Sequence, residues 1–166
     1  PPASSSAPPA NPAPPPPPAV GQPVDPQAAN VYNPDGSGDN PGAAKRVIDG
    51  DPGTVWRTEK YKQQFPTIKS GVGLVMTFQD PINLSQVKIT STSPGTKVEI
   101  RSADKKNPDF ADTKVVGGGQ LNDGETTIPL QQPTQSKFFI VWITQLGQDN
   151  NNYVTQISEL SFLPAG

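Results

Sequence analysis

Cysteine and histidine are both missing from the 166 residues. Without cysteine there is no disulfide framework and no thiolate chemistry. Without either residue zinc loses its usual soft and imidazole ligands, and the common nucleophile and general-base pairs of enzymes go with them. Long apolar runs are also lacking: nothing approaches the ~18 residues needed to cross a bilayer, and no secretory signal is visible in the chain. Neither sign of charge dominates. The net charge is -2 with the signs interspersed, which argues against nucleic acid and against a polybasic membrane surface. Gly117-Gly118-Gly119 is not followed by Lys-Ser/Thr or a helical pattern, so it is not a phosphate loop. Asp49 with Asp51, and Glu59 with Glu125, are available as carboxylate pairs, but nothing in their surroundings marks either for acid–base work. The chain reads as non-catalytic.

What the sequence has in abundance is proline, and it is unevenly placed. Residues 1–23 contain only Pro, Ala, Ser, Asn, Val, Gly and Gln, with the run Pro14 to Pro18. Such a segment has no apolar face with which to offset its ordering entropy, and a disordered, extended polyproline II linker is expected. At ~3.1 Å per residue it would reach roughly 70 Å. The remaining stretch, 24–164, is long enough for one core and is expected to form a single domain. Because the chain opens on Pro1, it is expected to be a piece of a longer protein whose membrane anchor lies upstream of the linker.

The body is all-β in pattern. Gly73 to Phe78 alternates and is expected to stop at Asp80-Pro81; Val87 to Thr90 alternates and stops at Ser93-Pro94-Gly95. In Lys97-Val98-Glu99-Ile100-Arg101 the two aliphatic residues should face inward. Phe138 to Ile143 is apolar at both parities, the mark of a central strand covered on both faces. Ile157-Ser158-Glu159-Leu160 changes parity, which a bulge would explain while re-aiming Glu159. One or two helical turns are expected over Thr58 to Gln64, ended by Pro66. Short strands separated by Asn/Asp/Gly/Pro turns favour an antiparallel β-sandwich.

Asp49-Gly50-Asp51-Pro52-Gly53-Thr54 gathers a carboxylate, backbone carbonyls and a hydroxyl in one tight turn. Two readings stand side by side: a turn in which Asp49 and Thr54 bond local backbone, or part of an oxygen cage for a hard cation. It is not an EF-hand loop, since the acidic spacing and the closing Glu are absent.

Ala43 to Trp56, read with Ile157-Ser158-Glu159-Leu160, resembles the first motif and closing strand of discoidin domains, also called coagulation-factor type C or galactose-binding-like domains. The resemblance spans roughly 24–164 and implies a jelly-roll sandwich that is usually a binding module. It also implies one structural calcium ion, held by the carbonyls of Arg46, Asp51 and Ser158, the carboxylates of Asp49 and Glu159, and the carbonyl and hydroxyl of Thr54. A further resemblance, carried by Trp56 to Tyr61, Ile68 to Leu74 and Ser93 to Arg101, is to the C-terminal extracytoplasmic domain of mycobacterial-type MviN proteins, lipid II flippase relatives with a pseudokinase domain. It implies an extracytoplasmic module tethered to the plasma membrane and engaged with cell-wall (peptidoglycan) synthesis.

Sugar recognition needs an aromatic face and planar polar side chains. Trp56 and Trp142 lie in or beside strands and are expected to be packing residues. Tyr32, Tyr61, Phe65, Phe110 and Tyr153 fall on expected loops, and Tyr153 follows the amide-rich Gln148 to Asn152. Arg57, Tyr61 and Tyr153 are the candidate ligand contacts. The absence of histidine, which galactose-binding relatives often use, counts against a sugar site. The functional expectation is recognition of a cell-wall glycan or lipid-linked precursor by a monomeric module. The alternative is a docking domain for periplasmic proteins with no glycan affinity.

Overall fold

The computed structural model describes residues 20–36, 38–67 and 69–166. The linker expectation therefore falls largely outside the described residues, which begin at Val20. Val20 bridges Ala165, and the Gly21 and Val24 N–H groups donate to the Pro164 and Phe162 carbonyls at 2.7 and 2.9 Å.

The chain runs β1 (Ala28–Tyr32), a 3-10 helix (Pro41–Ile48), β2 (Trp56–Arg57), β3 (Val72–Ser91), β4 (Lys97–Ala103), a short 3-10 turn (Phe110–Asp112), β5 (Lys114–Gln120), β6 (Gly124–Gln145), β7 (Gln148–Asp149), β8 (Asn152–Tyr153) and β9 (Gln156–Pro164). Of the described residues 54% are strand and 8% helix. Two long strands build both layers. The first half of β3 pairs with β1 and with the second half of β6, which in turn pairs with β4. The second half of β3 pairs with β9 and with the first half of β6. β3 and β6 thus bend from one layer into the other, and the result is an antiparallel, discoidin-like β-sandwich.

The expected stop at Asp80-Pro81 is wrong. β3 continues through it, and the ladder to β6 simply skips from Thr77 to Ile82. Pro81 sits in that unpaired bend, so its missing N–H breaks no ladder bond. The expected helix over Thr58 to Gln64 is also absent. Thr58 donates its N–H to Thr155 at 3.0 Å, and Tyr61 exchanges two 2.8 Å backbone bonds with Tyr153. Cross-strand pairing holds this stretch extended against its local helical preference. The 3-10 helix instead follows Asn40 and begins at Pro41, with proline in the first turn where no N–H is needed.

The core follows the period of two. Val72, Leu74, Met76 and Phe78 alternate inward with Val98, Ile100, Phe139 and Val141, all buried. As expected, the second parity of Phe138 to Ile143 is covered too: Ile140 and Trp142 pack on the outer face with Tyr32, Val75 and Ala103. The cover is the β4–β5 connection, whose Phe110 ring lies 4.8 Å from that of Trp142, while Tyr32 donates to the Pro108 carbonyl at 2.8 Å. Trp56 is fully buried.

Candidate functional site

Three neighbouring features lie at the β2–β9 end of the sandwich. The first is the Asp49–Thr54 turn. Asp49 accepts from the Asp51 N–H at 2.9 Å and the Thr54 hydroxyl at 2.5 Å, and Asp51 Oδ1 accepts from the Gly53 N–H at 2.8 Å. Gly50 takes φ 76° to let the chain curl. The local turn chemistry is therefore realised. So is the bulge: Thr90 opposes Glu159 while Ser91 opposes Ile157, leaving Ser158 as the extra residue. The bulge sets the Glu159 carboxyl close enough to Asp49 for each to shift the other's titration. Burial, then the Asp49 carboxylate, pushes Glu159 up to about 7, with the Gly50 and Asp51 N–H groups pulling the other way. The Thr54 hydroxyl and Asp51 N–H hold Asp49 below the usual carboxylate range.

This arrangement tests the fit of a calcium ion. Glu159 Oε1 is buried with no hydrogen-bond partner among the described residues, and two carboxyls face each other across the turn. The donors are all oxygens, which suits a hard cation. Among the described residues no group of three or more acidic, His or Cys side chains gathers, so backbone carbonyls and the Thr54 hydroxyl would have to complete the shell. In donor type, the two carboxyls and the Thr54 hydroxyl suit such an ion.

The second feature is the tyrosine ribbon. The structure brings Tyr61 and Tyr153 together through their paired backbones, and Lys62 Nζ donates to Asn152 Oδ1 at 2.8 Å beside them. The Tyr61 ring is half-buried edge-on to Phe65 at 5.3 Å. Its hydroxyl lies 2.7 Å from both carboxylate oxygens of Asp39. Burial first, then Asp39, raises this phenol well above its ordinary range. Tyr61 thus offers a ring edge and no free hydroxyl.

Asp39 was not legible as a functional residue, yet it is the hub here, fully buried with φ 61°. It accepts from Asn33 Nδ2, the Glu59 N–H and Lys69 Nζ at 3.0, 2.9 and 3.0 Å, its N–H donates to Glu59 Oε2 at 2.8 Å, and its carbonyl accepts from Trp56 Nε1 at 2.8 Å. The signal available in the sequence was Gly38-Asp39-Asn40-Pro41, a left-handed-tolerant run before a helix-starting proline.

The third feature holds Arg57. It is exposed and lines a cleft of about 400 Å³ with Asn40, Gly42, Ala43, Arg46 and Val55. Tyr61 and Tyr153 do not line this cleft, so the three candidate contacts divide between two adjoining surfaces. Of the other aromatics expected on loops, Tyr32 instead ends β1 and is buried, as is Phe65; among the described residues the exposed large apolar side chains are Val20 and Val115.

No protein-family model matches the chain. Solved structures do match over most of it. The family 32 carbohydrate-binding module of Clostridium perfringens NanJ, solved in complex with galactose, is 19% identical, with 82% of this chain and 92% of that one aligned at a TM-score of 0.57. The corresponding module of AlyQ, solved with 4,5-unsaturated mannuronic acid, is 18% identical over 86% and 98% at 0.59. Chitosan-binding module 1 from the Paenibacillus sp. IK-5 chitosanase/glucanase is 14% identical over 82% and 92% at 0.60. The chain thus has the discoidin-like fold of carbohydrate-binding modules.

Proposed function

We propose that this chain is a non-catalytic glycan-binding module held outside the plasma membrane by its Pro-rich segment, serving a membrane protein of cell-wall synthesis. The observation that carries the reading is the Tyr61–Tyr153 ribbon, with Lys62 and Asn152 beside it and Arg57 adjoining, on a fold shared with modules solved in complex with sugars. The parts of the Tyr61 and Tyr153 rings left outside the core supply apolar contact to a sugar ring, and the ammonium, amide and guanidinium supply hydroxyl partners. Loops and short ribbons at a sandwich end carry such contacts because the sheets hold them rigidly. The extracytoplasmic setting, the tether and the peptidoglycan or lipid-linked target draw support from the resemblance to MviN-type domains and from the composition of residues 1–23.

Calcium belongs to the same reading as a structural ion. Asp49, Thr54 and Glu159 would hold it with the carbonyls of Arg46, Asp51 and Ser158. It would tie the turn before β2 to β9 and raise the melting temperature by linkage. No step of recognition depends on it.

The test is equilibrium binding of galactose, N-acetylgalactosamine, chitosan oligomers, soluble peptidoglycan fragments and a lipid-linked precursor analogue, with and without calcium. Micromolar-to-millimolar binding that Tyr153→Ala weakens supports the proposal. No saccharide bound, with retention of a periplasmic protein instead, moves the function to protein docking.

A further inference from the structure

We propose that the cleft between the 3-10 helix and β2 seats an anionic group, a carboxylate or phosphate, and that the glycan this module recognises is therefore acidic. The inference rests on the glycan reading above and names the charge class of its ligand. The fold does not fix that class, since the modules it resembles were solved with galactose, with an unsaturated mannuronic acid, and as a chitosan binder. The side chains of the cleft do.

The chain has three arginines. Arg101 is committed: its guanidinium lies 2.9 Å from Glu99, donates to Thr113 at 2.9 Å and covers the Phe110 ring at 4.1 Å. Arg46 and Arg57 form no ion pair among the described residues, and all fifteen carboxylates of the chain lie there. Both line the same cleft, and no acidic residue lines it with them. Two guanidiniums without an ion pair, on one cleft lined by no carboxylate, give that cleft a local positive field on a protein whose net charge is -2. Arg46 Nη1 donates to the Val55 carbonyl at 3.3 Å, which parks one edge of its guanidinium at the cleft and leaves its other donors available. Planar forks of this kind match carboxylate and phosphate oxygens in a bidentate fashion.

A separate observation points to the same place. Gly38, Asp39 and Asn40 run consecutively through positive φ at 99°, 61° and 56°. Asp and Asn tolerate this region better than other non-glycine residues, and two in succession after a glycine hold one backbone path where the surroundings over-determine it. The over-determination is visible: every polar group of Asp39 is engaged. Its outcome is to fix Asn40, whose Nδ2 donates to the Arg57 carbonyl at 2.6 Å, as the amide wall of the cleft. Gly42, with open space where a Cβ would stand, leaves the entrance clear.

The test uses the full chain and chemically matched pairs followed by NMR titration. The probes are glucuronic acid against its neutral methyl ester, glucose 6-phosphate against glucose, and inorganic phosphate alone. Each acidic sugar is expected to bind about tenfold or more tightly than its neutral partner, the yield of one charge-assisted contact. Arg57→Gln and Arg46→Gln should each bring that ratio close to one. Asn40→Gly, which tolerates the left-handed backbone, should lower it while preserving the fold. A larger ratio for the phosphate pair identifies a phosphoryl source, and a larger ratio for the glucuronic pair identifies a uronic-type carboxylate. Equal affinity for acid and neutral partner overturns the anionic cleft and leaves the glycan reading standing. Inorganic phosphate binding as tightly as any sugar keeps the cleft and overturns the glycan reading.

Discussion

Asp39→Ala removes the acceptor at the centre of the buried knot beneath the tyrosine ribbon. Asp39 is wholly shielded and its partner Lys69 nearly so, with side-chain exposures of 0% and 10%. Truncating one member of such a pair leaves the other charge unpaired in a poorly solvated site, which costs about 3–5 kcal/mol. The Tyr61 hydroxyl, the Asn33 amide and the Glu59 N–H lose their acceptor in the same step. Alanine at φ 61° adds about 1 kcal/mol of backbone strain that aspartate bears more easily. The sum, about 4–6 kcal/mol, is a large part of the 5–15 kcal/mol typical of a domain. Lys69→Met should cost less, about 1–3 kcal/mol, because Asp39 keeps three other donors. Asp39→Asn combined with Lys69→Met should be milder than the sum of Asp39→Asn and Lys69→Met made singly, since the pair is then removed together. Urea denaturation at constant m reads each of these proteins. An Asp39→Ala loss under about 1 kcal/mol would refute the over-determination on which the strained turn, and the placement of Asn40, depend.

In EDTA, stability should fall as pH rises from about 4.5 to about 7 and then level. Glu159 is pushed up to about 7 in the fold, so the folded state binds more protons than the unfolded state across that window. Thermal melts of Glu159→Gln should lack this slope, and an unchanged slope would remove Glu159 as its source. Adding calcium at pH 7.5 should raise the melting temperature of the unaltered chain and leave that of Glu159→Gln nearly unmoved. Tyr61→Phe should cost about 1–2 kcal/mol in denaturation because Asp39 loses a buried donor. Gly71→Ala should cost more than about 2 kcal/mol, since its Cβ would lie 2.5 Å from the Ile143 carbonyl and 2.6 Å from the Trp142 ring.

The alternation in β4 and the two-parity run in β6 were legible because burial on one face or two writes directly into the sequence. The parity break at Ser158 disclosed the bulge for the same reason. Asp80-Pro81 misled because proline marks a strand end only where its N–H would be paired, and the bend between layers leaves it unpaired. Thr58 to Tyr61 misled because its partners, Thr155 and Tyr153, lie some ninety residues away and carry no local signal. The turn at Asp49 was readable from its residue types, while its pairing with Glu159 came from the resemblance to discoidin domains. Asp39 was not, since what makes it a hub is convergence of Asn33, Glu59, Tyr61 and Lys69 in space. The cleft escaped similarly: Arg57 stood out alone, while Arg46 was read for its carbonyl and Asn40 drew no reading.

The most direct test of glycan recognition at this end of the sandwich is a ¹⁵N HSQC titration of the full chain with a soluble peptidoglycan fragment. Saturable shifts confined to Asn40, Arg46, Arg57, Tyr61, Asn152 and Tyr153 are the predicted result. Shifts centred on the opposite edge around β4 and β5, or none at millimolar ligand, would contradict it.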